Sequence, residues 1–187
     1  MLYKCRQLLV AGLSSCILCG FCACSVTGQR PITTVPHVDL QRFMGDWYVI
    51  ANIPTFLERG AHNAVESYAL NADNTVATTF SFNAGSYDGK RKVHHPTGYV
   101  VDTKSNAVWG MMFLWPFKSE YRVLWLNADY TQTIIGRSKR DYVWILARSP
   151  TIPAPEYQRL VQILADEGYD TSKLRLVPQQ WPAAISK

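Results

Sequence analysis

Between Trp47 and Arg148 the chain alternates short apolar or β-branched runs with clusters of turn residues. Trp47-Tyr48-Val49-Ile50-Ala51 is the first run. Residues 65–70 form the next and stop at Asn71-Ala72-Asp73-Asn74, a turn cluster. Across residues 75–82 the period is two, so Val76, Thr78, Phe80 and Phe82 share one face. Asn83-Ala84-Gly85-Ser86 and Asp88-Gly89 read as a loop. Residues 91–95 and 98–102 follow, and Pro96 between them marks a bend or bulge, because proline cannot donate to a strand ladder. Residues 107–114, 121–126, 133–137 and 142–148 bring the count to about eight strands. Their short connections make sequence neighbours antiparallel neighbours. This pattern predicts an all-β fold, an eight-stranded up-and-down barrel with room for one small ligand.

The period changes once. Tyr157, Leu160, Val161 and Leu164 recur at helical spacing, Pro155 suits a first helical turn, and Gly168 suits the position after the last. Residues 155–167 therefore read as one amphipathic α-helix packed on the outside of the barrel. Residues 174–177 read as a further short strand. Residues 25–37 are polar, contain Pro31 and Pro36, and show no period, as a flexible tether would.

The N-terminus has a separate character. Lys4 and Arg6 precede an uncharged apolar run over residues 8–21, the layout of a secretory signal. The run is too short for a membrane span, which needs about 20 residues. All five cysteines, Cys5, Cys16, Cys19, Cys22 and Cys24, lie in this region. Ala23-Cys24 followed by a polar stretch resembles a bacterial lipoprotein signal, in which the cysteine is lipidated and becomes the new N-terminus. Cys24 is the favoured lipidation site; Cys16 after Leu13-Ser14-Ser15 and a plain cleaved signal are the alternatives. Ser25, in place of the Asp that retains such lipoproteins at the inner membrane, implies the outer membrane, with the protein lipid-anchored on its periplasmic face. The spacing of Cys16, Cys19 and Cys22 is metal-like, but no His or acidic residue lies near it. The resulting division is a signal at 1–23, a lipidated N-terminus and tether at 24–37, a barrel domain at 38–182 with its helix at 155–167, and a tail at 183–187.

Removal of residues 1–23 takes Lys4 and Arg6 and lowers the net charge from +5 to +3. That excess allows attraction to anionic headgroups but not the dense basic face of a nucleic-acid binder. Lys90-Arg91-Lys92 is the only basic run and reads as a solvated loop, with a headgroup contact as the alternative. Adjacent His94 and His95 point to opposite faces of a strand and do not share an ion. No metal or cofactor is expected.

Phe43-Met44-Gly45-Asp46-Trp47-Tyr48, Asn127-Ala128-Asp129-Tyr130 and Arg148 resemble, in order, the three motifs of the lipocalins. The resemblance covers residues 38–182. Phe56-Leu57-Glu58-Arg59-Gly60 and residues 141–146 further resemble the bacterial outer-membrane lipocalins, which are close to apolipoprotein D. The resemblance implies that Trp47 plugs the closed end of the barrel and that Arg148 stacks on it, a cation–π contact worth about 0.5–2 kcal/mol. Gly45 lets the backbone turn into the strand, and Asp129 and Tyr130 are structural.

With Trp47 and Arg148 as inward markers, parity turns Val49 and Ala51 inward on the first strand and Tyr142, Trp144 and Leu146 inward on the last. Motif alignment adds Phe80, Phe82, Met111, Phe113, Tyr121 and Val123. The predicted ligand pocket is therefore Phe80, Phe82, Met111, Phe113, Tyr121, Val123, Tyr142 and Trp144, an apolar and aromatic set that suits an acyl chain. Three functions compete: a membrane-anchored carrier of fatty acids, lysophospholipids or similar lipids; a lipid-modifying enzyme; and an envelope scaffold using Trp115, Pro116 and Phe117. A barrel without cysteine lacks the thiol of the lipocalin isomerases, which leaves Glu66 or Asp102 as catalytic carboxylates and makes a non-enzymatic carrier the favoured reading. The sequence leaves a homodimer open.

Overall fold

The computed structural model describes residues 30–181. The signal segment, Cys24 and the 183–187 tail lie outside the described residues. A one-turn helix α1 (Leu40–Phe43) leads into nine strands: β1 (Gly45–Ile53), β2 (Ala61–Leu70), β3 (Thr75–Ala84), β4 (Arg91–His94), β5 (Thr97–Val100), β6 (Val108–Leu114), β7 (Phe117–Leu126), β8 (Gln132–Gly136) and β9 (Val143–Ala147). Helix α2 (Ala154–Asp166) and a two-residue strand β10 (Arg175–Leu176) complete the chain. Each long strand pairs antiparallel with its neighbour, and β9 pairs back onto β1, which closes the barrel. Both β4 and β5 lie against β3, so they are two halves of one barrel strand, broken at Pro96 as its missing N–H requires. The barrel thus has the eight strand positions expected.

Two apolar clusters explain the sequence pattern. Inside the barrel, Phe43, Trp47, Val49, Tyr68, Trp109 and Leu146 belong to one core. Outside it, Ile50, Ala51, Ile134, Val143 and Ile145 meet Leu160 and Leu164 of α2. Strands β8 and β9 are therefore buried on both faces, and their apolar residues, Ile134-Ile135 and Val143–Ala147, run on without alternating. Helix α2 starts with Pro155 in its first turn, and Gly168 follows it at φ 85°. The helix lies within one residue of its predicted span.

Two expectations change. A bulge between Val49 and Ala51 shifts the β1–β9 register by one, which reverses parity. Ala51 therefore faces α2, not the interior. Residues 30–37, expected as a flexible tether, lie along the barrel instead. The Val35 amide donates to the Val123 carbonyl at 3.0 Å, and the Arg140 guanidinium donates to the Arg30 carbonyl at 2.7 Å. Their backbone groups and the half-buried Ile32 and Val35 find partners there, and this is the cause of their order. The segment after β10 is likewise held. Gln179 donates to the Val49 and Ala64 carbonyls at 2.8 and 3.2 Å, filling the seam where the β1–β2 ladder ends at Tyr48↔Val65.

The closed end is tied by Arg148. Its guanidinium lies 3.8 Å from the Trp47 ring centroid. It donates to the carbonyls of Arg42, Phe43, Met44 and Asp46 at 2.7–3.0 Å. The first three are the orphan acceptors at the end of α1, where a cation is favoured, and the fourth lies at the start of β1. Gly45 sits at φ 92°, and a Cβ there would come within 3.3 Å of Arg148 Nη1. The Tyr130 carbonyl accepts from Arg148 Nε, and its hydroxyl accepts from the Asp39 amide at 2.9 Å. Asp129 is exposed in the same turn.

Arg148→Lys keeps the charge but loses the planar fork that serves several carbonyls at once. It is expected to destabilise the fold by about 1–3 kcal/mol in urea denaturation, with Arg148→Ala costing more.

Candidate functional site

The strands converge on a floor of stacked rings at the closed end. Trp109 and Tyr121 stack with centroids 4.9 Å apart and planes 8° from parallel. Phe43 packs against Trp47 at 5.0 Å and edge-on against Trp109 at 5.5 Å. Above this floor a cavity of about 710 Å³ opens at the other end of the barrel, within the size range of small-molecule pockets. Its wall includes Phe80, Met111, Phe113, Tyr121, Tyr142 and Trp144, six of the eight residues predicted for it.

Phe82 and Val123 are buried but do not reach the wall. The Phe82 ring is taken up by Phe80 at 5.3 Å and by stacking on His94 at 6.1 Å. Val123 lies two residues nearer the closed end than Tyr121, whose ring forms the floor. Phe113 is on the wall yet half in the open at 51% exposure. The cause is the break at Pro96: β4 pairs with β3 but not with β6, and the β5–β6 ladder reaches only to Thr97↔Met112. The wall therefore parts between β4 and the end of β6. His94 and His95 sit at this parting, His94 stacked on Phe80 and Phe82, and His95 exposed beside the Thr79 hydroxyl at 3.3 Å.

The interior also holds acid groups that the pocket prediction did not include. Glu66 is buried on the cavity wall and accepts a hydrogen bond from the Tyr68 hydroxyl. The Tyr68 oxygen lies 2.8 Å from that of Tyr121, and with the Tyr68 proton given to Glu66, Tyr121 donates to Tyr68. Burial pushes the Glu66 carboxyl up to about 7, opposed by the Tyr68 hydrogen bond and reinforced by the nearby Glu58. Burial and the Glu66 charge also hold the Tyr68 and Tyr121 hydroxyls well above the usual phenol value, so they stay protonated donors. Glu58 is buried as well. It accepts from the Thr55 amide at 2.9 Å and from Trp144 Nε1 at 3.0 Å. A signal for Glu66 was present: it is the cross-strand partner of Trp47, so it shares that residue's inward face. Glu58 lies in a loop, where parity says nothing. Asp102 is not part of the site. It accepts from the Lys104 amide and the Ser105 hydroxyl in a turn at the closed end.

Cationic character on the wall comes from Arg137 near the mouth, 3.5 Å from Asp141 and 5.3 Å from the Tyr142 ring centroid. Among the described residues no group of three or more His, Cys, Asp or Glu is arranged to hold a metal ion. The cavity is thus an apolar sleeve with Glu66 and Tyr121 at its inner end, backed by Tyr68, and with Glu58, Glu120 and Arg137 toward its opening.

An eight-position antiparallel barrel, plugged by an arginine-covered tryptophan and open above an apolar cavity, defines a class of small-ligand binding proteins. Comparison with known proteins gives the family. A profile described as a lipocalin-like domain matches residues 38–179, and the chain belongs to the lipocalins. It is similar to the outer membrane lipoprotein Blc of Citrobacter freundii, 31% identical over 174 residues that cover 91% of this chain and 96% of that protein. It is also similar to temperature-induced lipocalin-1 of Arabidopsis thaliana, 31% identical over 82% of this chain and 86% of that one. Among solved structures, insecticyanin from the tobacco hornworm Manduca sexta superposes with a TM-score of 0.64 at 16% identity, covering 83% of this chain and 87% of that one. Members of the family bind small hydrophobic ligands.

The Glu66 carboxyl makes stability depend on pH. At low pH it is protonated in both folded and unfolded chains. Between 4.5, its ordinary value, and about 7, the unfolded chain releases the proton first, so stability falls as pH rises through that window. The total loss is on the order of 3 kcal/mol. Glu66→Gln is expected to abolish this decline and to be the more stable protein at about pH 8, as read by denaturant titrations at both ends of the window.

Proposed function

We propose that this lipocalin carries acyl-chain lipids, fatty acids or lysophospholipids, in the cell envelope, held at the periplasmic face of the outer membrane by a lipidated Cys24. It binds without doing chemistry. The observation that carries the reading is the cavity: about 710 Å³, walled by Phe80, Met111, Phe113, Tyr142 and Trp144, and open at one end. Supporting it are the Blc relatives, which are outer membrane lipoproteins, and the lipoprotein-like segment ending at Cys24. A triacylated cysteine anchors stably where a single chain does not. The absence of cysteine after residue 24 removes the thiol nucleophile from the mature barrel.

The polarity of the cavity orients the ligand. An anionic headgroup beside Glu66 and its two phenols would be desolvated next to like charge, which is costly. The same headgroup at the mouth stays partly hydrated, which screens Glu58, Glu120 and Asp141, and it meets the Arg137 guanidinium. The lipid therefore enters tail first, and its carboxylate or phosphate stays at the mouth.

Tryptophan fluorescence with a fatty acid and a lysophospholipid is expected to show saturable binding of at least one, reported by Trp144. No saturable change for either, with the fold intact, refutes the carrier reading. Ser119→Trp, which places bulk on the cavity wall, is expected to weaken binding at least about tenfold, or ~1.4 kcal/mol, at unchanged stability. In cell fractionation Cys24→Ala is expected to move the protein from the membrane to the soluble fraction; retention at the membrane excludes Cys24 as the anchor.

A further inference from the structure

Apart from Val101 at the closed end and Leu176 on β10, the exposed large apolar side chains of the described residues gather at the mouth of the barrel. Trp115 and Phe117, at the tip of the β6–β7 hairpin, are 77% and 72% exposed, and Leu114 beside them 70%. Phe56, in the loop between β1 and β2, is 76% exposed. Phe56, Phe113 and Leu114 also line the cavity, so the patch is continuous with its entrance. A collar of this kind is unusual for surface in contact with water alone, but exposure by itself names no partner.

Two further observations do. The first is charge. Around the mouth, Arg59, Lys90, Arg91, Lys92, Lys118 and Lys139 are exposed against Asp88, Asp141 and Asp166, whereas the closed end exposes Asp39, Asp46, Asp73 and Asp129 against Arg42 and Lys104. The barrel is thus basic at its opening and acidic at its base. Basic side chains interleaved with aromatic ones fit the interface of an anionic bilayer, where each cation contributes attraction and tryptophan sits at headgroup depth. The second is the path of the N-terminal segment. It runs up the barrel and reaches the mouth end, where Arg30 donates to the Asp166 carbonyl at 3.0 Å and accepts from Arg140, in the loop between β8 and β9. Cys24 precedes Arg30 by six residues, a reach of at most about 20 Å. A lipid on Cys24 would therefore pull the mouth, not the base, toward the membrane.

We propose that the mouth collar docks face-on against an anionic phospholipid surface, with the Trp115–Phe117 hairpin entering the interface and the cavity opening onto the bilayer. Lipid then passes between bilayer and barrel without crossing water. That passage rests on the carrier reading above; the docking itself does not.

The chain from residue 24 carrying Cys24→Ser retains every described contact of the barrel and helix, and it reads docking without the anchor. In flotation assays it is expected to rise with vesicles of phosphatidylethanolamine and phosphatidylglycerol and to stay behind with phosphatidylcholine alone. Trp115→Ser/Phe117→Ser, which alters exposed side chains only, is expected to weaken binding at least about tenfold; Lys90→Glu/Lys92→Glu should do the same at low salt. Val101→Ser, at an exposed apolar position of the closed end, should bind as the parent does. The proposal is overturned if the parent ignores anionic vesicles, if the hairpin variant binds equally well, or if Val101→Ser loses as much. It is also overturned if the parent sediments as a dimer that the hairpin variant breaks while neither binds vesicles, since the patch then belongs to a second copy of the chain. Fatty-acid titration of the same samples separates the two readings. Docking without uptake supports the surface and sinks the carrier; uptake without docking sinks the surface alone.

Discussion

The barrel depends on one contact, the Arg148 guanidinium laid over Trp47. A barrel open at both ends would drain its core into water. Here one end is stoppered by an indole, and the indole is covered by a cation that also satisfies the last carbonyls of α1. The same group thus does three things: it shields an aromatic face, it pairs acceptors that have no helical partner, and it joins the end of β9 to the start of β1, where the sheet closes on itself. Gly45 is required because any side chain there would need a strained φ and would crowd the guanidinium. With the base held shut, the opposite end is free to remain open.

That asymmetry sets the rest. The ring stack above Trp47 forms a floor, and Glu66, Tyr68 and Tyr121 bring polarity to the inner end of the cavity. A buried carboxyl raised to about 7 is held there by the cost of desolvating its charge. Such a group repels anions and tolerates hydrocarbon, which matches a tail-first ligand. At the other end the break at Pro96 parts the wall, exposes the end of β6, and joins the cavity to an apolar and basic collar. Depth, polarity and access thus follow from one direction along the barrel axis.

Much of this was legible beforehand. The strand count, the single outer helix and the Trp47–Arg148 marker pair follow from periodicity and motif order, because a strand shows its buried face every second residue and a helix at every third or fourth. Most of the proposed cavity wall followed from motif alignment, with parity supplying Tyr142 and Trp144. What parity missed has specific causes. Ala51 was misplaced because a bulge inserts a residue that no local pattern announces. Phe82 and Val123 face inward, but whether an inward side chain meets empty space or another ring depends on its neighbours in three dimensions. Glu58 reaches the interior from a loop, where no period exists.

Residues 30–37 mark the same boundary from the other side. Their polar, proline-containing composition predicted a free tether, yet hydrogen bonds to Val123 and Arg140 lay them along the barrel. The order of residues along the chain determined the barrel, its plugged end and its fatty character, since each of these is written in local spacing and residue type. The depth of the floor, the acid within it, the parting at the mouth and the end from which the N-terminus departs were decided by folding. Each depends on contacts between residues far apart in sequence, which no local pattern encodes.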